Sequence, residues 1–150
     1  MHATQNPPAP VEAEPTPADV LRAAAAYIEA HGWHQGARYD LRGEITSTPP
    51  ACAAGAICTA AYGSALVDLL HTPEPTPARW QCAQDALYTF ATYLPGNDSL
   101  ARPAPEEEYE LYEWVIGGWN DRPDRTLTQV TTALHDAADQ WEHRRQGGAS

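Results

Sequence analysis

Hydrophobic residues recur at intervals of three and four along most of the chain, which is the spacing of amphipathic helices. In the last such stretch, Leu127, Val130 and Leu134 follow this spacing directly behind Thr126 and Gln129, which form a capping-box pair. The first stretch starts behind a Thr-Pro pair and stops at a glycine, as helices often do. The pattern predicts helices over residues 17–31, about 50–62, about 78–94, about 105–118, and from 127 toward the C-terminus.

The helical spacing is lost between residues 33 and 48. Tyr39, Leu41 and Ile45 alternate there with polar residues and glycines, which predicts a small hairpin or an ordered loop. Strand signals elsewhere are weak. The sequence therefore predicts an all-α fold, a compact single-domain bundle of five or six helices.

The two ends of the chain differ from this pattern. Residues 1–16 are rich in proline, alanine and glutamate, so a disordered tail is expected. A single helical domain is predicted over residues 17–146, followed by a flexible C-terminus at 147–150. A proline-rich stretch at 71–78 predicts a loop within the domain.

Charge narrows the classes of partner. The chain carries 20 acidic and 9 basic residues, a net charge of −11 at pH 7. This balance argues against direct nucleic-acid binding, which needs a basic surface, and favours a protein partner with a basic surface. No signal peptide or membrane-length apolar stretch is recognisable, and three cysteines fit a reduced compartment. We therefore expect a cytoplasmic protein without membrane contact, and leave its oligomeric state open.

Three short motifs resemble a known family. They are "YIEAHGW" at 27–33, "CAAGAI" at 52–57, and "WND" at 119–121 followed by "RTLTQV" at 125–130. Together they are similar to a family of small proteins from actinobacteria and their phages that carries a domain of unknown function. The similarity covers residues 18–63 and 114–140. It implies a shared fold and no established activity.

Cys52 is the first candidate for chemistry. It is predicted in the first turn of a helix, where free N–H groups and the helix dipole lower the pKa of a thiol and make it a nucleophile. A nucleophile also needs a base and a residue that orients the base. Candidates for these roles are His34, His71 or His135, with Asn120 or Asp121. The favoured interpretation is structural, because Gly55, Ala56 and Thr59 on the same side make Cys52 part of a stripe of small packing residues.

Two histidines are candidate metal ligands. His31 and His34 are three positions apart, but the paired Cys and His spacing typical of structural zinc is missing. We therefore expect neither a metal nor a cofactor.

The remaining polar motifs have structural and functional interpretations. In "WND", Asn120 and Asp121 either satisfy backbone donors in a turn or form the floor of a polar pocket below Trp119. The glutamate run at 106–113 is either a solvated helix start or an acidic docking face. The residues expected in a binding site are Trp33, Trp119, Asn120, Asp121, Glu106, Glu107 and Glu110.

The predicted function is that of a small acidic accessory protein that binds another protein and is not catalytic. A thiol-dependent hydrolase or transferase with Cys52 as nucleophile is the alternative. A further alternative is an acidic mimic of nucleic acid, which would need charges at phosphate-like spacing over one surface.

Overall fold

The computed structural model of the protein describes residues 14–65 and 74–148. Helices dominate this part of the chain, and no strand is present in it beyond two isolated bridges. The fold is all-α, as predicted. The helices are α1 (Pro17–His31), α2 (Ala53–Tyr62), α3 (Pro77–Tyr93), α4 (residues 108–120) and α5 (Leu127–Gly148).

Capping residues explain where α1 and α5 begin. Thr16 caps α1 and forms a reciprocal capping box with Asp19, with hydrogen bonds of 3.0 and 3.1 Å. Thr126 and Gln129 form the predicted capping box at α5, with hydrogen bonds of 3.1 and 3.2 Å. These local signals confirm the sequence-based starts of both helices.

The α2 helix begins later than predicted. Cys52 is its N-cap and lies outside the first turn, because the backbone on both sides of Ala51 is paired with the preceding loop. Gly63 ends α2 in the left-handed conformation, with a φ of 86°.

The α4 helix is irregular. It consists of an α-helical turn (Glu108–Tyr112), a π-helical turn (Glu113–Gly117) and a final short turn (Gly118–Asn120). The predicted start near residue 105 is wrong, because residues 105–107 form a turn. Glu108 is buried at the helix start through an ion pair of 2.8 Å with Arg102. The π-helical turn had no signal in the sequence pattern.

The core lies where α1 packs against α2 and α5, with α3 closing one side. Its largest buried side chains include Leu21, Ile28, Ile57, Leu87, Phe90, Tyr112, Ile116 and Leu134. Leu127, which belongs to the predicted helical pattern, and Trp80 are partly exposed, and each lies in the first turn of its helix.

The ends of the chain are described only in part. Residues 1–13 of the predicted disordered tail (1–16) lie outside the described residues. Residues 71–73 of the predicted loop (71–78) lie outside them too. The α5 helix reaches Gly148, so residues 147 and 148 of the predicted flexible C-terminus are helical. The other two residues of that end lie outside the described range.

The segment between α1 and α2 is an ordered loop held by backbone hydrogen bonds. Ala51 pairs with Trp33 in a parallel bridge and with Tyr39 in an antiparallel bridge. The Arg38 carbonyl oxygen accepts a hydrogen bond of 2.9 Å from the Cys52 N–H. The residues before α2 are therefore enclosed between two parts of the same loop.

Gly55 allows this loop to lie directly on α2. A Cβ atom at Gly55 would be 2.4 Å from the carbonyl oxygen of Arg38, closer than a carbon and an oxygen can approach. The Gly55 carbonyl oxygen also accepts hydrogen bonds from the hydroxyls of Tyr39 (3.1 Å) and Thr59 (2.8 Å). The small residues of "CAAGAI" thus serve contact with a loop, and not only contact between helices.

We expect Gly55→Ala to lower the free energy of unfolding by about 2 kcal/mol, because the new methyl group displaces the loop backbone. Gly118→Ala is the matched control: this glycine is helical, with a φ of −60°, and a Cβ atom added to it would meet no described atom within 4 Å. It should gain roughly 0.5–1 kcal/mol. Urea unfolding measures both, and equal stability of Gly55→Ala and the native protein would contradict the close contact.

Candidate functional site

The side chain of Asn120 joins three segments of the fold. It is completely buried at the end of α4. Its Oδ1 accepts hydrogen bonds from the Trp33 indole N–H (2.8 Å) and the Ala53 backbone N–H (3.0 Å). Its Nδ2 donates to the His34 carbonyl oxygen and to Asp121 Oδ1, both at 3.0 Å. We call this arrangement of Asn120 with Trp33, His34 and Ala53 the Asn120 junction.

Neighbouring residues reinforce the junction. Asp121 Oδ1 also accepts a hydrogen bond of 3.0 Å from the Gly36 backbone N–H. Gln35 Nε2 donates to the carbonyl oxygens of Asn120 (3.0 Å) and Arg122 (2.8 Å). The "WND" turn is therefore bonded to the loop after α1 along several residues.

Trp119 is held between a core ring and a cation. Its indole meets Phe90 edge-on, with ring centroids 5.8 Å apart. The guanidinium of Arg125 lies 4.0 Å from the centroid of the Trp119 ring and donates to the Trp119 carbonyl oxygen at 3.0 Å. Trp119 is thus partly buried, and its ring is used in contacts within the protein.

A surface cavity of about 340 Å³ lies beside the Asn120 junction. It is bounded by the loop after α1, the start of α2, and the second half of α4. We call it the Trp114 cavity. Its lining residues are Gly36, Ala37, Arg38, Cys52, Ala54, Glu113, Trp114, Gly117, Gly118 and Asp121.

Of the residues predicted from sequence, Cys52 and Asp121 line this cavity. Trp33, Trp119 and Asn120 are not among its lining residues, because their polar or aromatic groups are used in the junction and the core. The cavity faces the start of α2; Asp121 is the one "WND" residue that lines it, and its aromatic residue is Trp114 and not Trp119.

Trp114 was not among the residues predicted from sequence. Its side chain is 81% exposed, although tryptophan is usually well buried. It lies on the π-helical turn, and such turns are often found at functional sites. The sequence did contain a signal for this exposure, because Trp114 lies off the hydrophobic face of the helical stretch "EWVIGG".

The charged groups of the cavity include an ion pair. Arg38 Nε donates to Glu113 Oε1 at 2.5 Å, and Arg38 also contacts Cys58 Sγ at 3.1 Å. Glu113 was expected on the solvated face with Glu106 and Glu110, but this ion pair draws it to the cavity wall. Glu106 and Glu107, in the turn before α4, and Glu110, in the first turn of α4, are exposed.

The environment of Cys52 opposes ionisation of its thiol. Its Sγ accepts a hydrogen bond of 3.4 Å from the Gly55 N–H, and this contact by itself favours the thiolate. Burial has the larger effect and raises the pKa of Cys52 to about 11. Cys52 is therefore a neutral thiol at physiological pH, and it packs at the start of α2.

The described histidines His31, His34 and His135 have other surroundings than Cys52. His34 Nδ1 lies 3.8 Å from Asp40 Oδ2, His31 packs on Tyr27, and His135 is exposed. His71 lies outside the described residues. Within residues 14–65 and 74–148, no three His, Cys, Asp or Glu side chains are placed to hold a metal ion.

A larger cavity of about 420 Å³ lies between α3 and α5, and none of the predicted site residues lines it. Its residue Arg102 is already paired with Asp85 at 2.9 Å and with Glu108 at 2.8 Å.

In the described part of the chain, no helix has the length and apolar character to cross a membrane.

We expect Asn120→Ala to lower the free energy of unfolding by about 3 kcal/mol, since each buried partner left without a hydrogen bond costs about 1–3 kcal/mol. Asn97→Ala is the control, because its side chain makes one local hydrogen bond to Pro95. It should change stability by less than about 0.5 kcal/mol. Similar losses in both variants, measured by urea unfolding, would show that the junction is not a stability determinant.

Alkylation rates test the state of Cys52. Because its pKa is raised to about 11, we expect Cys52 to react more slowly at pH 8 than Cys82, which is half-buried. Unfolding should remove the difference. Peptide mass spectrometry reports each site separately. Faster reaction at Cys52 than at Cys82 between pH 6 and 7 would instead favour the thiol-dependent enzyme.

A family model relates the chain to known proteins. No curated protein and no solved structure matches it. The model of a family of unknown function, DUF6197, matches residues 12–140, a range that includes the Asn120 junction and the whole lining of the Trp114 cavity. The match confirms the resemblance to a family that carries a domain of unknown function. The chain belongs to the DUF6197 family of unknown function.

Proposed function

We propose that this protein is a non-catalytic accessory protein that binds a basic surface of another protein. The exposed Trp114 beside the cavity is the observation that carries the proposal. Exposed tryptophans are costly in water and are enriched at the centres of protein interfaces. The binding surface consists of Trp114, the cavity beside it, and the exposed glutamates in and before the first turn of α4 (Glu106, Glu107 and Glu110).

The position of Trp114 favours binding. The surrounding backbone is held by the Asn120 junction and by the ion pair between Arg38 and Glu113, so its ring is presented from an ordered frame. The backbone below the ring therefore needs no further ordering when a partner covers it.

Charge supports a basic partner. Glu106, Glu107 and Glu110 are exposed, and Glu110 precedes Trp114 by four positions, which places both on the same side of α4. The net charge of the whole chain is −11, so the long-range field attracts basic proteins and repels nucleic acid. The three free cysteines are consistent with action in the cytoplasm.

A thiol-dependent enzyme has less support from the geometry. Its nucleophile would be Cys52, whose burial raises the pKa to about 11. Its orienting residue would be Asn120 or Asp121. The Asn120 side chain already makes four hydrogen bonds, and Asp121 Oδ1 already accepts two, from the Gly36 N–H and from Asn120 Nδ2. Neither His34 nor His135 lines the cavity.

Site-specific crosslinking tests the proposal. The photoreactive residue p-benzoylphenylalanine replaces Trp114, or Trp80 as the control, since Trp80 is 37% exposed on α3. We expect a lysate of the native host to yield a basic protein crosslinked from position 114 and not from position 80. The binding of that protein, purified, is then measured by calorimetry.

Two variants of the full chain complete the test. Trp114→Ala should weaken binding of the purified partner at least tenfold. Replacing Glu106, Glu107 and Glu110 by glutamine should weaken binding at low salt and reduce its salt dependence. A purified partner that binds Trp114→Ala as tightly as the native chain, or no crosslink from position 114, would contradict the proposal.

A further inference from the structure

We infer that the Trp114 cavity receives an arginine side chain of the partner, with its guanidinium between the carboxylate of Asp121 and the indole of Trp114. This inference rests on the proposed function and names the chemical group that the site recognises. Four features of the cavity support it: a rigid carboxylate, the charge balance, the exposed ring, and the small residues of the lining.

Asp121 presents a fixed carboxylate with one oxygen available. Its Oδ1 accepts hydrogen bonds from the Gly36 N–H and from Asn120 Nδ2, both at 3.0 Å. These bonds hold the plane of the carboxylate. Its Oδ2 accepts no hydrogen bond from residues 14–65 or 74–148, which leaves this oxygen for a donor that enters the cavity.

The charges of the lining leave room for one cation. Arg38 and Glu113 pair with each other at 2.5 Å, so their charges largely cancel. Asp121 remains, and the lining therefore carries one net negative charge from one arginine and two carboxylates. An anion in the cavity would be repelled by the carboxylates of Asp121 and Glu113. The one cation of the lining, Arg38, is already paired with Glu113.

Ring and lining select arginine among cations. A guanidinium is planar, stacks on an indole, and donates to a carboxylate through several N–H groups. An ammonium group is not planar, so it neither stacks on a ring nor pairs with both carboxylate oxygens as well. Cys52, Ala54, Gly117 and Gly118 contribute small surfaces that fit an alkyl stem. The volume of about 340 Å³ lies near the lower end of the range of about 300–1,000 Å³ common for ligand pockets.

Indole NMR signals of the ¹⁵N-labelled full chain test the inference. The chain has five tryptophans, and Trp114→Phe assigns the signal of Trp114. Titration with N-acetyl-arginine amide should shift this signal with saturation below about 10 mM. N-acetyl-citrulline amide, which has the same shape without the charge, should give a shift that does not saturate.

Variants of Asp121 and its neighbour localise the effect. Asp121→Asn keeps an oxygen for the Gly36 N–H and removes the charge, so it should weaken arginine binding at least fivefold. Asp124→Asn removes the same charge from the same turn, outside the cavity lining, and should bind as the native chain does. If Asp121→Asn fails to fold, loss of saturation by raised salt in the native chain replaces it as the charge test.

Three results would overturn the inference: equal binding of the citrulline and arginine probes, tighter binding of N-acetyl-lysine amide, or no saturable shift at Trp114. Any of these alongside a partner that needs Trp114 would leave the proposed function intact. The opposite combination is also distinguishable. If the arginine probe binds and its binding needs Asp121, but no protein crosslinks from position 114, the cation pocket is established and the proposed function is rejected.

Discussion

The hydrogen bonds of the buried Asn120 amide constrain much of the rest of the structure. This side chain joins the end of α4 to the loop after α1 and to the first residue of α2 with three hydrogen bonds of 2.8 to 3.0 Å, and a fourth of 3.0 Å goes to the neighbouring Asp121. A buried amide without partners is strongly unfavourable, so the three segments keep their positions only together. The hydrogen bonds of one polar side chain thereby fix the relative positions of segments that are far apart in sequence.

The Trp114 cavity follows from this constraint. Three residues of the cavity lining are close in sequence to residues of the junction: Asp121 follows Asn120, Cys52 precedes Ala53, and Gly36 lies two residues after His34. By fixing these three segments, the junction fixes the part of the cavity wall that each contributes. The opposite wall comes from the π-helical turn, which turns Glu113 toward Arg38 and leaves the Trp114 ring in solvent. Gly55 completes the arrangement by letting the loop backbone rest on α2.

Cys52 illustrates how two opposed effects are resolved. A position at a helix start favours the thiolate, through N–H groups and the dipole, and the Gly55 N–H does lie at hydrogen-bond distance from Sγ. Burial removes water from the same sulfur, and ionisation in a poorly hydrated site is more unfavourable than the Gly55 and Ala54 N–H groups and the charge of Arg38 can offset. The raised pKa makes the thiol a neutral packing group, in line with the small residues around it.

Features that depend on neighbours in the chain were predictable from the sequence: the all-α class, the start of α1 behind its Thr-Pro pair, and the capping box of α5. Helix periodicity and capping act over three or four residues, so their signals are local. The tertiary structure decided the rest of the site. The partners of Asn120 are up to 87 residues away, and the pairing of Arg38 with Glu113 spans 75 residues. No spacing rule encodes such contacts, because they depend on how the helices pack, and that packing also decided that Trp114, and not Trp119, borders the cavity.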